Sequence, residues 1–264
     1  IVARIEELLS HLDAGVQALQ QAKSQLQRYR QALLKAAVEG RLTEVWRKAH
    51  PEVELIEPTI KSGKKSAERL DLSTYMLPNL PATWKWIALH MIADAIDPQP
   101  SHRTPPEVDE GVPYIGIGDV DEDGSLNFNL ARKVSKEILI EHRERYQLNV
   151  GDFIFGKIGT LGRPARLTKP FNYTLSANVI LIKPNLSYIN QKFLFSFMES
   201  PLMDNLLRKD SRATTQAAFG IKKVRMLPIP LPPQKEQNII VDRLDQLISV
   251  SDEMRDIIEQ EINR

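Results

Sequence analysis

Apolar positions along the first 39 residues recur with a seven-residue period. Ile5, Leu12, Leu19, Leu26 and Leu33 form one series, and Ile1, Leu8, Gly15, Ala22, Tyr29 and Ala36 form a second, three residues on. Two interleaved heptad series of apolar or small residues predict a coiled-coil helix. The stretch holds no proline, and Gly40 stands where a helix C-terminal stop belongs. At about 1.5 Å per residue the rod is about 58 Å long, and a rod of this kind needs a partner helix to be stable.

The pattern then changes. Residues 50–79 form a polar linker with Lys61-Ser62-Gly63-Lys64-Lys65 and prolines at 51, 58 and 78. From Leu80-Pro81-Ala82-Thr83-Trp84-Lys85-Trp86 onward aromatics become dense and a globular body begins. Val112 to Ile117, Phe153 to Phe155 and Ala177 to Ile182 read as strands. Residues 136–146, 190–199 and 201–209 read as helices, the last with Ser200 as cap and Pro201 in its first turn. Leu227 to Pro233 reads as an extended, polyproline-like strap. A helical period then resumes with Ile240, Leu244, Leu247, Ser251, Met254 and Ile258. Ile1 to Ser10 aligns with Ile240 to Ser249, sharing an Ile-Val-x-Arg start and one apolar register, so the second helix reads as an internal repeat and as the missing partner. The predicted fold is α/β (α+β): residues 1–49 a long coiled-coil helix, 50–79 a linker, 80–233 a globular domain, and 234–264 a second coiled-coil helix repeating 1–25. Its seam is expected to run through Ile5, Leu12, Leu19, Leu26, Leu33, Leu244, Leu247 and Met254.

Composition narrows the class. At 264 residues and 42% hydrophobic the chain can bury a real core. The absence of cysteine excludes a disulfide scaffold and any thiolate metal site, and fits a reducing cytoplasm. No apolar run approaches the roughly 20 residues that span a bilayer, so no membrane partner is expected. The chain opens at Ile1 inside a heptad, which reads as a piece of a longer protein and not as a targeting peptide. The net charge of +1 hides a segregation: residues 151–225 carry 12 Lys and Arg against four acids, a local +8 that leaves −7 elsewhere. Such a segment is either a nucleic-acid footprint or a solvated face, and charge alone ranks the two evenly.

Four stretches, in order, resemble the specificity subunits of type I restriction–modification systems. They are Leu33 to Thr43 closing the first helix, Leu80-Pro81-x-x-Trp84 opening the domain, Gly151-Asp152-Phe153-Ile154-Phe155-x-Lys157-x-Gly159-Thr160-x-Gly162 in its middle, and Leu227 to Pro233 with Glu236-Gln237. The resemblance implies a DNA target recognition domain held by conserved spacer helices, reading one half of a bipartite DNA site. With one such domain the chain would be the C-terminal half of a subunit or a half-subunit that dimerises. Implied partners are double-stranded DNA, methyltransferase (modification) subunits, a restriction/translocase subunit, and a second copy through the helices, in a prokaryotic cytoplasm. No cofactor is expected in this chain; S-adenosylmethionine, ATP and Mg belong to the partner subunits.

The residues themselves agree that catalysis is not expected. The sequence lacks an Asn-Pro-Pro or Asp-Pro-Pro followed by an aromatic, a carboxylate two residues before a lysine, and Gly-x-Ser-x-Gly. The histidines at 11, 50, 90, 102 and 142 show no metal-ligand spacing, and the acidic turn from Asp119 to Gly124 lacks calcium-loop spacing and reads as solvated. For DNA, Lys157, Gly159, Thr160, Arg163 and Arg166 form a first candidate loop, with Gly159 and Gly162 letting backbone approach a phosphate; a hairpin turn with solvated arginines is its plain alternative. Arg212, Thr214, Thr215 and Gln216 could read base edges, although Gln216 could equally cap its own turn. Lys222 and Lys223 suit phosphates, and Arg103, beside His102 in a proline-flanked loop, completes the set. The competing reading is a coiled-coil assembly adaptor whose globular domain binds protein.

Overall fold

The computed structural model describes residues 2–58, 70–101, 103–121, 123–158, 161–211 and 220–262. Two long helices, α1 (Val2–Val38) and α7 (Gln234–Ile262), run side by side. Lys23 pairs with Glu259 at 2.8 Å and Arg30 reaches Asp252 at 3.6 Å. One heptad forward on α1 is thus matched by one heptad back on α7, and the pair is antiparallel. Leu33, Leu34, Ala37 and Val38 are buried with Ile240, Val241 and Leu244 in the main core. α1 ends on Gly40, whose φ of 76° is left-handed, while the Arg41 amide donates to the Ala36 carbonyl at 2.9 Å.

The expected seam needs correcting at both ends. Leu247 and Met254 are exposed (36% and 51%), and the sheltered positions beside Leu244 and Ser251 are Ile248 and Arg255. Periodicity alone selects the more apolar of two stripes. Here Ile240, Val241 and Leu244, anchored in the core, fix the rotation of the helix and turn the mixed stripe inward. Leu12 is exposed as well: Ile262 on α7 lies close to the level of Lys23, so no described part of α7 reaches it. The Ile5 side chain lies outside the described residues.

Among the described residues the body between the helices holds three sheets, the largest of them packed against the helix layer. β2 (Ala93–Ile96), β8 (Val179–Pro184), β5 (Phe153–Gly156) and β6 (Pro164–Arg166) form an antiparallel sheet in that order. Strand alternation divides its side chains between two faces. Phe153, Phe155, Ile180 and Ile182 enter the core with α4 (Gln191–Met198), α5 (Pro201–Ser211) and the ends of α1 and α7. Ile154, Ala165, Val179 and Leu181 enter a second cluster with Ile115, Tyr146, Tyr173 and Leu175. Beyond it lies a small sheet, β4 (Lys133–Val134), β3 (Val112–Ile115) and β7 (Thr174–Leu175), with α3 (Lys136–Arg145) beside β7. α4 buries Phe193, Phe195 and Phe197 together; their spacing of two imitates a strand only because the helix is apolar on every side.

The proline-rich strap is a strand. β9 (Pro228–Leu231) pairs antiparallel with β1 (Lys85–Ala88), with Ile229 opposite Ile87 and Leu231 opposite Lys85. Prolines at every second position put their missing amides on one edge and leave Ile229 and Leu231 free to bond across the pair. Three of the four resemblance stretches then meet at one buried joint. Glu236, in the first turn of α7 and fully buried, accepts from Thr43 Oγ1 at 2.6 Å, from Trp84 Nε1 at 2.9 Å and from Arg47 of α2 (Glu44–Ala49). A Cβ on Gly40 would stand 2.7 Å from Pro81 Cγ and 3.2 Å from Trp84, so that glycine is required by packing as well as by its φ. Gln237 extends the joint, accepting from the Asn190 amide at 2.6 Å and donating to the Tyr188 and Pro232 carbonyls. No described helix is long and apolar enough to cross a membrane.

Candidate nucleic-acid interface

The first predicted loop follows β5, and most of its described side chains are committed within the protein. Lys157 is buried, its ammonium 2.8 Å from Asp97 Oδ2, and its amide donates to the Asn178 carbonyl at 2.8 Å. A buried ammonium needs such a partner to offset its desolvation, and without DNA Lys157 is committed to this ion pair. Gly162 has a left-handed φ of 79°, and a Cβ there would fall 1.9 Å from Leu207 Cδ1 of α5. Its lack of a side chain is required by that packing. Arg163 donates to the Asp121 carbonyl, tying the hairpin to the acidic turn. Arg166 alternates with Ala165 and Leu167 and therefore points toward the helix layer, its guanidinium 3.9 Å from the Phe195 ring centroid. Burial raises the Glu199 carboxyl above its ordinary range, and Arg30 and then Arg166 oppose that rise. Gly159 and Thr160 lie outside the described residues.

The +8 of residues 151–225 is correspondingly smaller in space than in sequence. Lys157 and Lys192 pair with Asp97 and Asp245, acids outside that window, and Lys183 pairs with Asp152 inside it. Counting along the chain cannot see partners that folding brings from elsewhere. Arg212, Thr214, Thr215 and Gln216 lie outside the described residues. Lys222 and Lys223 are exposed on α6 (Ile221–Arg225), which Arg225 fastens to β2 through the Ala95 carbonyl at 2.9 Å. Arg103 is exposed, and its carbonyl accepts from Gln99 Nε2 at 2.9 Å.

Gln99 belongs to a buried polar chain that sequence reasoning missed. His142, on α3, contacts Gln99 Oε1 through Nε2 at 2.6 Å and Thr174 Oγ1 through Nδ1 at 2.6 Å. Tyr146 OH lies 2.9 Å from Thr174 Oγ1 and receives the Leu175 amide. One set of proton positions satisfies every member. Tyr146 donates to Thr174, Thr174 to His142 Nδ1, His142 Nε2–H to Gln99, and Gln99 to Ser101 Oγ and the Arg103 carbonyl. The neutral imidazole this needs is favoured by burial first and then by Arg145, both of which lower the His142 pKa, with Glu141 opposing. The chain thereby fixes the loop that carries Arg103.

That loop borders an open cleft of about 550 Å³, walled by Thr104, Tyr114, Asp119, Arg132, Ile158 and Asn178 among others. Two of the predicted segments, around Arg103 and after Lys157, therefore flank one concavity, while Arg166 faces elsewhere. Tyr114, in the middle of β3, is 3% exposed, and its hydroxyl has no hydrogen-bond partner. Burial raises its pKa, and the nearby Ala177 amide counters that pull without reaching hydrogen-bond geometry. Arg132 donates from Nη2 to the Pro105 carbonyl at 3.1 Å, but its buried Nε has no partner. Ser176 and Asn178 side chains bond to each other across the rim, and Asp119 Oδ2 accepts from the Gly116 amide at 2.7 Å. Among the described residues no group of three or more His, Asp or Glu could hold a metal ion.

A mixed body clamped to an antiparallel helix pair, with polar donors in a cleft lined by none of the clamp residues, defines a binding module. Residues 83–264 match the family described as type I restriction modification DNA specificity domain, and the chain belongs to that family. It is 27% identical over 265 residues to the type I restriction enzyme EcoBI specificity subunit of Escherichia coli, covering 100% of this chain and 51% of that protein. The EcoKI specificity subunit of Escherichia coli K12 is 25% identical over 269 residues, covering 50% of its length. The chain thus spans about half the length of the curated relatives it matches. Among solved structures, the HsdS subunit from Thermoanaerobacter tengcongensis shares the fold with a TM-score of 0.51 at 17% identity, over 99% of this chain and 55% of that one. A chain from a type I R-M system studied for complex assembly and conformational transition has a TM-score of 0.53 at 17% identity, over 96% of this chain and 54% of its own.

Proposed function

We propose that this chain is a non-catalytic, sequence-specific DNA-binding specificity subunit, or half of one, of a type I restriction–modification complex. Residues 80–233 would read one half of a bipartite site. The helices in 1–49 and 234–264 would act as a coiled-coil spacer, setting the gap to the second half-site and docking methyltransferase subunits. A restriction/translocase subunit would complete the assembly. S-adenosylmethionine, ATP and Mg would be held by those partners and none by this chain, in a prokaryotic cytoplasm. One observation carries the reading: the family match begins at the first wall of the body, next to Trp84, and continues through α7. That match takes in the body and α7, and the buried Glu236, which ties α7 to Thr43 and Trp84, supports a body held against its helices.

The exposed apolar stripe of Leu247, Val250, Met254 and Ile257 on α7, with Leu9 and Leu12 exposed on α1, favours a further partner along the helices. The repeat of 1–25 in 234–264 suits a second copy or second half there. The test is selection from a randomised duplex pool at fixed salt, with the chain assembled on a type I methyltransferase subunit. A half-site enriched over random DNA is the expected result; failure to enrich any sequence refutes the reading.

A further inference from the structure

We propose that the cleft beside β3 is where the domain reads a base, with the Tyr114 hydroxyl and Arg132 Nε donating to acceptors on a guanine edge. The proposal rests on the DNA-binding reading above and assigns it an address. Tyr114 is almost wholly buried, lines the cleft, and leaves its hydroxyl without a partner; Arg132 lines the same cleft and leaves Nε in the same state. An unpaired buried donor is destabilising, because its lost hydration is not replaced. Among the described residues one other buried side-chain atom, Thr83 Oγ1, lacks a partner, and it lies outside the cleft lining, while the His142 chain next door satisfies all its members. Two unpartnered donors, each sealed from solvent on a residue that lines the same cleft, fit a site that a ligand completes by entering that wall.

The chemistry of the wall chooses the ligand. Arg132 Nε can only donate and the Tyr114 hydroxyl can donate as well as accept, so a ligand presenting acceptors satisfies both. Asp119 shares the cleft, and its carboxylate disfavours an anionic phosphate there while tolerating a neutral base. In the major groove guanine offers two acceptors, O6 and N7, on one edge. Thr104, next to Arg103, and Ile158, next to Lys157, both line the cleft. Phosphate-binding cations such as Lys222 would position the duplex, and the cleft would discriminate.

The test uses the chain assembled on its methyltransferase partner, the duplex enriched from the random pool, and its single-base-pair variants. Tyr114→Phe removes only the hydroxyl. The expected result is an unchanged or raised melting temperature, with discrimination at one guanine-containing base pair reduced about tenfold. Affinity for random DNA and its salt dependence should stay as they are. Arg132→Lys, which keeps the charge but deletes Nε, should relax the same base pair. Unaltered discrimination at every position overturns the proposal. So does an equal loss on all sequences, which would mark a phosphate contact, or a lowered melting temperature with discrimination intact, which would mark a structural hydroxyl. A wild-type chain that enriches no sequence sinks the functional reading and this proposal together, whereas a selective wild type with unaltered variants sinks only this one.

Discussion

Two polar clusters in this chain are finished to different degrees. At the joint, Glu236 is sealed from solvent and receives Thr43 and Arg47, one turn apart at α2, and Trp84, three donors from two separate segments. At the cleft, Tyr114 and Arg132 bury donors that nothing in the protein receives. The first arrangement repays the desolvation of a carboxylate entirely from within, and what it yields is geometry: helix pair and body held at one angle. The second leaves a cost unpaid by the fold, which is tolerable where an outside molecule supplies the missing acceptor. Burial of polar groups thus marks structure in one place and recognition in the other, and what separates them is whether the partners are complete.

The largest effect is expected from removing the Glu236 carboxylate. Glu236→Ala strands the Trp84 indole N–H, the Thr43 hydroxyl and the partly buried Arg47 guanidinium at once. A loss of about 3–5 kcal/mol is expected, the range for breaking a buried charge pair from one side, read as a shifted midpoint in urea denaturation. A loss under about 1 kcal/mol would mean that the joint is solvated and not a clamp.

Lys157 sharpens the contrast from the cleft side, because the sequence offers it as a DNA contact and the fold spends it on Asp97. Lys157→Met should cost about 1–3 kcal/mol, the penalty of leaving one buried polar partner unmatched. The slope of log affinity against log salt should not move. Lys222→Ala, on exposed α6, should do the reverse: little change in stability and a salt slope smaller by about 1. If Lys157→Met reduces the slope as Lys222→Ala does, the ammonium leaves Asp97 for a phosphate when DNA binds.

Much of the scaffold was legible in the sequence, and little of the site. The heptad period, Gly40 and the Pro201 start mark α1 and α5 through local rules, since capping and period depend on neighbours within a turn. The rotation of α7 escaped those rules, because Leu247 and Met254 look more like a seam than Ile248 and Arg255 do until the core anchors the helix. The strap read as polyproline because β1 lies far away in sequence. For the site the gap is wider. Lys157 and Gly162 suit a phosphate by residue type, yet Asp97 and Leu207, distant in the chain, decide how they pack. Tyr114, in a short apolar strand, carried no signal, since an unmatched hydroxyl exists only in three dimensions.

His142 supplies the gentlest perturbation, and it acts on the cleft while leaving the joint alone. Its pKa is lowered from 6.5 by burial and by Arg145, so the unfolded chain takes up a proton that the native imidazole refuses. As pH falls below about 6.5 the unfolded state binds more protons than the native one, and stability must fall with it until the lowered native pKa is passed. Protonation also removes the Nδ1 acceptor of Thr174, which loosens the chain through Gln99 to the Arg103 loop. His142→Gln has no group to titrate there. Denaturation of both proteins at pH 7.5 and pH 5.5 should therefore show a smaller loss for the variant, with any carboxylate contribution common to both. Hydrogen exchange at Ser101 to Thr104 should rise on acidification in the wild type, while exchange around Trp84 stays constant. Parallel losses in the two proteins would mean that the imidazole is not the neutral link, and the ordering of the cleft wall would then rest on Gln99 and Ser101 alone.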